Sequence, residues 1–399
     1  MTAHPSRRGV LGAAALLGLA GTAALLAGCA PEPDDAAPAE PRPDPAPDPA
    51  PEPAPEPAPA PMLLLASLAH AAEVAVIDPA LPDAEAVQRI AAGASPWGVG
   101  TSPDGRVGYA ATAEGLAVLD LRARRRTALV PYLHPAAEIG AGEYRPGGLG
   151  LAVAADGASV AVAVAPGDGS WHLEEYDVET GAFARSAPVG ARPFDVLADP
   201  AGAWVASVDH DGFTVTVVDT ADFTAVQHRV APFGEEGGLA SWEKPHYGAV
   251  DAGVDAEDGA GAASILLPFQ GQVVLRLDPR TGDAAAIPSA ANSHAHGTAL
   301  AGRRLLTVGT GAFGSATGAP SLSILDVDTG TERFVPLVVP HETVALWRDG
   351  DGAEYAAVAG GNTRDEGWDG ITLIALDGDG ERAIPVPGYP QAVVGFAER

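Results

Sequence analysis

Cysteine and lysine are nearly absent: Cys29 and Lys244 are the only ones in 399 residues. One thiol cannot form a disulfide within the chain, so stability must come from packing, which a chain this long can supply. If Cys29 is modified, no free thiol remains, and any transition-metal site must use histidine and carboxylate. Positive charge is also scarce. Lys and Arg total 23 against 52 Asp and Glu, a formal net charge of −29. So acidic a surface repels phosphate, which argues against nucleic acid as a partner, and attracts cations. Aromatic residues make up only 6%. No G-x-S-x-G is present, so there is no serine-nucleophile elbow. No amphipathic helical period stands out, and past residue 28 no apolar run is long enough to span a bilayer. What is abundant is Gly (49) and Pro (37), the mark of a turn-rich chain with one extended part.

That extended part follows an export signal. Arg7 and Arg8 precede an apolar run from Val10 to Ala27. The run ends in Leu26-Ala27-Gly28-Cys29, which resembles a bacterial lipobox, where the Cys thiol is lipidated. Ser6-Arg7-Arg8-Gly9-Val10-Leu11 resembles a twin-arginine signal, which implies export in the folded state. The alternative, an uncleaved helical anchor, would have to use a run that is short and rich in Ala and Gly. The expectation is therefore a signal over residues 1–28 and a protein lipid-anchored to the outer face of the cell membrane. Residues 29–61 then alternate Pro with Ala, Asp and Glu. Such a segment cannot bury a core and predicts a polyproline-like tether, reaching roughly 100 Å at about 3.1 Å per residue.

Residues 62–399 repeat. Seven apolar strands end at or beside an Asp, at Asp78, Asp120, Asp177, Asp219, Asp278, Asp326 and Asp377. Three continue to Thr-Gly, as in Asp177-Val-Glu-Thr-Gly181, which suits a tight turn between antiparallel strands. Units of about 40–50 residues with four short strands each predict an all-β, seven-bladed β-propeller. The ends are complementary. Gly388–Ala397 supplies one strand, whereas the domain opens with a three-strand unit: Leu63–Leu68, Ala72–Asp78 and Ala84–Ala91. Pairing them completes a blade and removes an open edge.

The innermost strands should start near Pro96, Pro146, Pro193, Pro245, Ala295, Pro340 and Pro390. The next residue of each should face the channel mouth: Trp97, Gly147, Phe194, His246, His296, His341 and Gln391. A single His near a strand start is usually an ordinary polar residue. Three at one register of successive repeats can converge on a metal ion. His246, His296 and His341 are the first-choice ligands, with His294, Asp195 or Glu342 to complete the shell. His70, His134, His172 and His210 fall in loops of the same face, and of these His134 and His210 are candidate further ligands. Neutral imidazole suits Zn²⁺, and such a site would take Cu²⁺ as well.

Pro245-His-Tyr-Gly-Ala-Val250 and His296-Gly-Thr-Ala299 resemble motifs of the zinc-metallochaperone propellers of the AztD type, and Asp209-His-Asp-Gly-Phe-Thr-Val215 echoes a loop of that family. The resemblance implies a YVTN-like propeller that binds zinc and hands it to the substrate-binding protein of an ABC importer, without being an enzyme. It departs from that family at the N-terminus. Where members of the family carry a His-rich arm, this chain has the Pro/acidic tether. Two other readings stay open. One is a lactonase- or lyase-like propeller enzyme, with His341-Glu342 as acid–base partners around a divalent ion. The other is a YVTN-like interaction scaffold.

Overall fold

The computed structural model describes residues 62–398, apart from residue 143 and the segments 231–243, 254–262, 270–272, 291–296, 310–318 and 362–367. The expected signal, Cys29 and the tether lie outside the described residues.

Seven four-stranded antiparallel sheets form the blades of a propeller. The first three strands of the domain, Leu63–Leu68, Glu73–Ile77 and Val87–Ala91, take their fourth partner from the far end of the chain, Pro390–Phe396. Leu63 pairs with Phe396 and Leu65 with Val394, with a bulge between Ala66 and Leu68. The sequence thus predicted ring closure and blade count, and both are observed. One detail differs: Asp83–Ala86 forms a single helical turn before the outer strand of this blade. Its Pro82 start and short length make it a connector.

The middle strands read as nearly continuous apolar runs, such as Ser159–Ala165 (SVAVAVA), because a blade is covered on both faces by its neighbours. The outermost strands are more exposed, as in Arg125–Val130, whose first three residues face solvent. Among the described residues the buried side chains fall into seven clusters, one between each pair of adjacent blades. At the closure, Leu64, Ile77, Trp347 and Ile371 share one cluster, and Leu65, Val76, Leu119 and Phe396 share the next.

The recurring Asp caps the turn between third and fourth strands. Asp177 accepts from the Thr180 N–H (2.7 Å) and hydroxyl (2.8 Å), and Asp326 does the same with Thr329. The Gly that follows adopts a left-handed φ, +69° at both Gly181 and Gly330, which an L side chain would resist. These turns all open on one face of the ring and leave the opposite face to other residues.

Candidate metal site at the channel mouth

In each blade the chain enters the inner strand from the loop leaving the previous blade. Antiparallel order puts these loops on the same face as the hairpins joining second and third strands. His70, His134, His172, His210, His246 and His341 lie in these loops or at their edges. His228 does not: it sits within Ala225–Arg229 and bonds the Pro279 carbonyl at 3.0 Å. His294 and His296 lie outside the described residues.

Two of these imidazoles come together. His210 stands at the tip of the hairpin between Trp204–Asp209 and Thr214–Asp219. The hairpin is anchored from below by Asp209, which accepts from the hydroxyls of Ser207 (2.6 Å), Thr216 (2.6 Å) and Thr214 (2.9 Å). Burial pushes the Asp209 carboxyl up to about 6, while the three hydroxyls favour its charge. From this base the His210 ring reaches to 4.2 Å from that of His246, centroid to centroid, at 64°. Phe194, at the start of the inner strand of the same blade (Pro193–Ala198), packs against both. Its ring is 5.0 Å from His210 and lies nearly parallel to His246 at 6.3 Å.

The protonation of His210 is set by its neighbour. Its Nδ1 lies 2.9 Å from the Asp211 carboxylate. Arg192 and Lys244, the sole lysine, pair with the same carboxylate. Burial works against the Asp211 charge, but its bonds to His210 and Lys244 outweigh that and hold its carboxyl well below the usual range. An ionised carboxylate only accepts, so Nδ1 carries the hydrogen and Nε2 the lone pair. Nε2 is buried and, among the described residues, has no hydrogen-bond partner. Burial also lowers the His210 pKa, which keeps that lone pair free of a proton. A His with its distal nitrogen fixed by a carboxylate is the usual arrangement of a metal ligand.

The other expected ligands are placed differently. His341 is buried, with Nδ1 2.8 Å from the Val339 carbonyl and Nε2 2.9 Å from the Thr372 hydroxyl. It could ligate, or act as a base, only after Thr372 released Nε2. Glu342 beside it is buried and packs over Gly361, whose lack of a side chain gives it room. Asp195 follows Phe194, but its two oxygens accept from the N–H groups of Val196 and Gly248, each at 2.9 Å, and it lines the cavity below the mouth. His134 belongs to a separate pair. Its Nδ1 is 2.8 Å from the buried Glu174 carboxylate, and its ring stacks on His172 at 3.6 Å and 4°. Parallel rings direct their in-plane lone pairs side by side rather than at one point, so this pair as it stands does not converge on an ion. His70 is exposed and packs against Tyr389 at 4.5 Å. Among the described residues no group of three or more His, Cys, Asp or Glu is placed to hold a metal ion. The His210–His246 pair has its expected companions His294 and His296 outside the described residues.

Sequence reasoning ranked His210 below His341 and did not single out Asp211. The clue was the adjacency in Asp209-His-Asp-Gly, a carboxylate on each side of one imidazole.

His341 carries a pH prediction. Burial pushes its pKa down to about 4, below the 6.5 of an exposed imidazole. Between those values the unfolded chain binds the extra proton, so His341 costs stability as pH falls. The loss should approach about 3 kcal/mol at the lower end. His341→Gln should be less stable than wild type at neutral pH, with the gap narrowing toward pH 4 in urea unfolding. A gap that stays constant with pH would mean that His341 is not held neutral by burial.

No family model matches the chain, and no curated protein sequence does. Solved structures do resemble it. Hydrazine synthase of Kuenenia stuttgartiensis aligns over 71% of this chain and 77% of its own at 15% identity and TM-score 0.52. A protein of unknown function from Desulfotomaculum acetoxidans aligns over 84% and 99% at 9% identity and TM-score 0.59. The dihydro-heme d1 dehydrogenase NirN aligns over 79% of this chain and 61% of its own, at 17% identity and TM-score 0.50. At such identities the likeness is one of fold alone.

Proposed function

We propose that this propeller is an exported, lipid-anchored zinc-binding protein that takes up the ion at its channel mouth and passes it to the substrate-binding protein of a zinc ABC importer. The observation that carries the reading is the buried, unpartnered Nε2 of His210 beside His246, with its Nδ1 fixed by Asp211. An orphaned imidazole nitrogen in a protein interior costs on the order of 1–3 kcal/mol unless something fills it. A soft or borderline cation fills it best, since Nε2 in this tautomer can only accept. His296 and His294, by the resemblance of their motif, would supply the further ligands. The acidic surface would raise the local cation concentration, and a lipid anchor would concentrate the protein beside a membrane importer.

Calorimetric titration of the metal-free protein with zinc tests this. Stoichiometric binding without turnover, followed by transfer to an importer's binding protein faster than free dissociation, supports the chaperone. Weak binding with lactone hydrolysis points to an enzyme instead, and no binding to a scaffold. Anchoring has its own test. Cys29→Ser should release the protein from membranes and leave its melting curve unchanged. Continued fractionation with membranes would make the N-terminal run a helical anchor.

A further inference from the structure

Below the mouth, the centre of the ring encloses a cavity of about 350 Å³. Its wall is mostly Gly, Ala, Val and Leu of the inner strands. Met62, Thr298, Thr343, Tyr247 and Asp195 break that pattern, as do Trp97 and Phe194, whose side chains are packed into the interblade core. Asp195 is the one charged residue among the described residues lining the cavity. Its carboxylate is held in place by the Val196 and Gly248 N–H groups, which leaves the second lone pair of each oxygen for another partner. It lies deep in the ring yet is only half-buried, because it faces this cavity. Among the described residues no Lys, Arg or His in the lining offsets its charge, and the apolar surroundings that replace bulk water push its carboxyl up to about 7.

A fixed anion in an apolar tube with one half-exposed aromatic residue, Tyr247, has a definite complement. A hard metal ion such as calcium wants roughly six to eight oxygens, and here the described lining side chains supply one carboxylate, two threonine hydroxyls and the Tyr247 phenol. Of these, the Thr343 hydroxyl already donates to the Gln391 carbonyl. A borderline metal wants imidazole or thiolate, and among the described residues the lining has neither. An organic ammonium fits both features: its charge meets the carboxylate, and its alkyl groups meet apolar and aromatic walls.

The geometry points to a second binding site in the channel, for a small alkyl- or methylammonium cation held by Asp195, the half-exposed Tyr247 and the apolar wall of the inner strands. The site is distinct from the His210–His246 pair and does not depend on the zinc reading.

Tetramethylammonium and n-propylammonium are the probes, titrated by calorimetry into the full-length protein at about pH 8, where Asp195 is ionised. Saturable one-to-one binding and a raised melting temperature are expected. Asp195→Asn keeps the side-chain shape and should weaken binding about tenfold or more, since the contact is charge-assisted. Tyr247→Leu should weaken tetramethylammonium more than n-propylammonium, because loss of an aromatic wall costs the methylated cation more. Repeating the titration with excess zinc chelator should leave both affinities unchanged, which separates failure here from failure of the zinc site. The proposal is overturned if neither cation binds at ~10 mM, if Asp195→Asn binds them as tightly as wild type, or if calcium binds there in their place.

Discussion

Removing residues 388–399 should abolish cooperative unfolding of the propeller, whereas removing the tether, residues 30–61, should leave the transition unmoved. The last strand, Pro390–Phe396, is the inner strand of the blade begun by Leu63–Leu68. Without it Leu63–Leu68 becomes an open edge, with Leu64, Leu65 and Leu68 no longer covered. Val393 and Phe396 leave two different interblade clusters, so both neighbouring interfaces lose packing together. Two cross-links vanish as well: the Ser67 hydroxyl bonded by Ala392 N–H, and the Gln391 carbonyl bonded by Thr343. Each large apolar side chain exposed costs about 1.5–3 kcal/mol, and a domain's whole margin is about 5–15 kcal/mol. Four or five such losses exhaust it. The milder Phe396→Ala should cost about 3–5 kcal/mol and keep the ring closed. Urea unfolding followed by circular dichroism measures both. A truncated chain that unfolds at the wild-type midpoint would show that the ring does not depend on its closing strand.

The architecture was legible because two local rules repeat. The Asp that caps the third-to-fourth-strand turn recurs for the same reason in six blades, from Asp78 to Asp326, so it marks the period. Short apolar runs follow from blades buried on both faces. The deficit of one strand at one end and three at the other then fixed closure. The helical turn Asp83–Ala86 was not legible, since four residues show no period and one connector can replace another.

The site was legible only in part. The register of the inner strands predicted which residues crowd the mouth, and Trp97, Phe194, His246, His341 and Gln391 are all buried. Register does not say where a side chain's hydrogen bonds go. His246 and His341 look alike in sequence, yet His341 satisfies both nitrogens with Val339 and Thr372, a hydroxyl 31 residues away. His210 comes from a different loop class and meets His246 only because neighbouring blades abut. Lys244 stood out as the sole lysine, but its partner Asp211, 33 residues earlier, becomes visible only in three dimensions.

Zinc affinity should fall more than ~100-fold in His210→Ala and in His246→Ala, and about 10–100-fold in Asp211→Asn. The first two remove nitrogens from a shell of three or four, and an incomplete shell loses both a bond and the preorganised geometry. Asp211→Asn leaves the ring but weakens what fixes its tautomer, so it should act through His210 rather than by contact. It also frees Arg192 and Lys244 from their shared carboxylate, and a double variant with His210→Ala should lose little more than His210→Ala alone. His296→Ala should behave like the first two, and His228→Ala should match wild type, since its ring faces Pro279 away from the mouth. His341→Ala tests whether Thr372 gives way: unchanged affinity with lower stability leaves it a structural residue, whereas a large loss makes it a ligand. Acid should release the ion, because protons compete for the ligating nitrogens. Burial lowers the His210 pKa, so release should set in below the 6.5 of a free imidazole. Competitive titration against a chromophoric chelator across pH reads all of these together. If His210→Ala and His246→Ala hold zinc as tightly as wild type, the paired imidazoles are packing residues, and the metal reading loses its support.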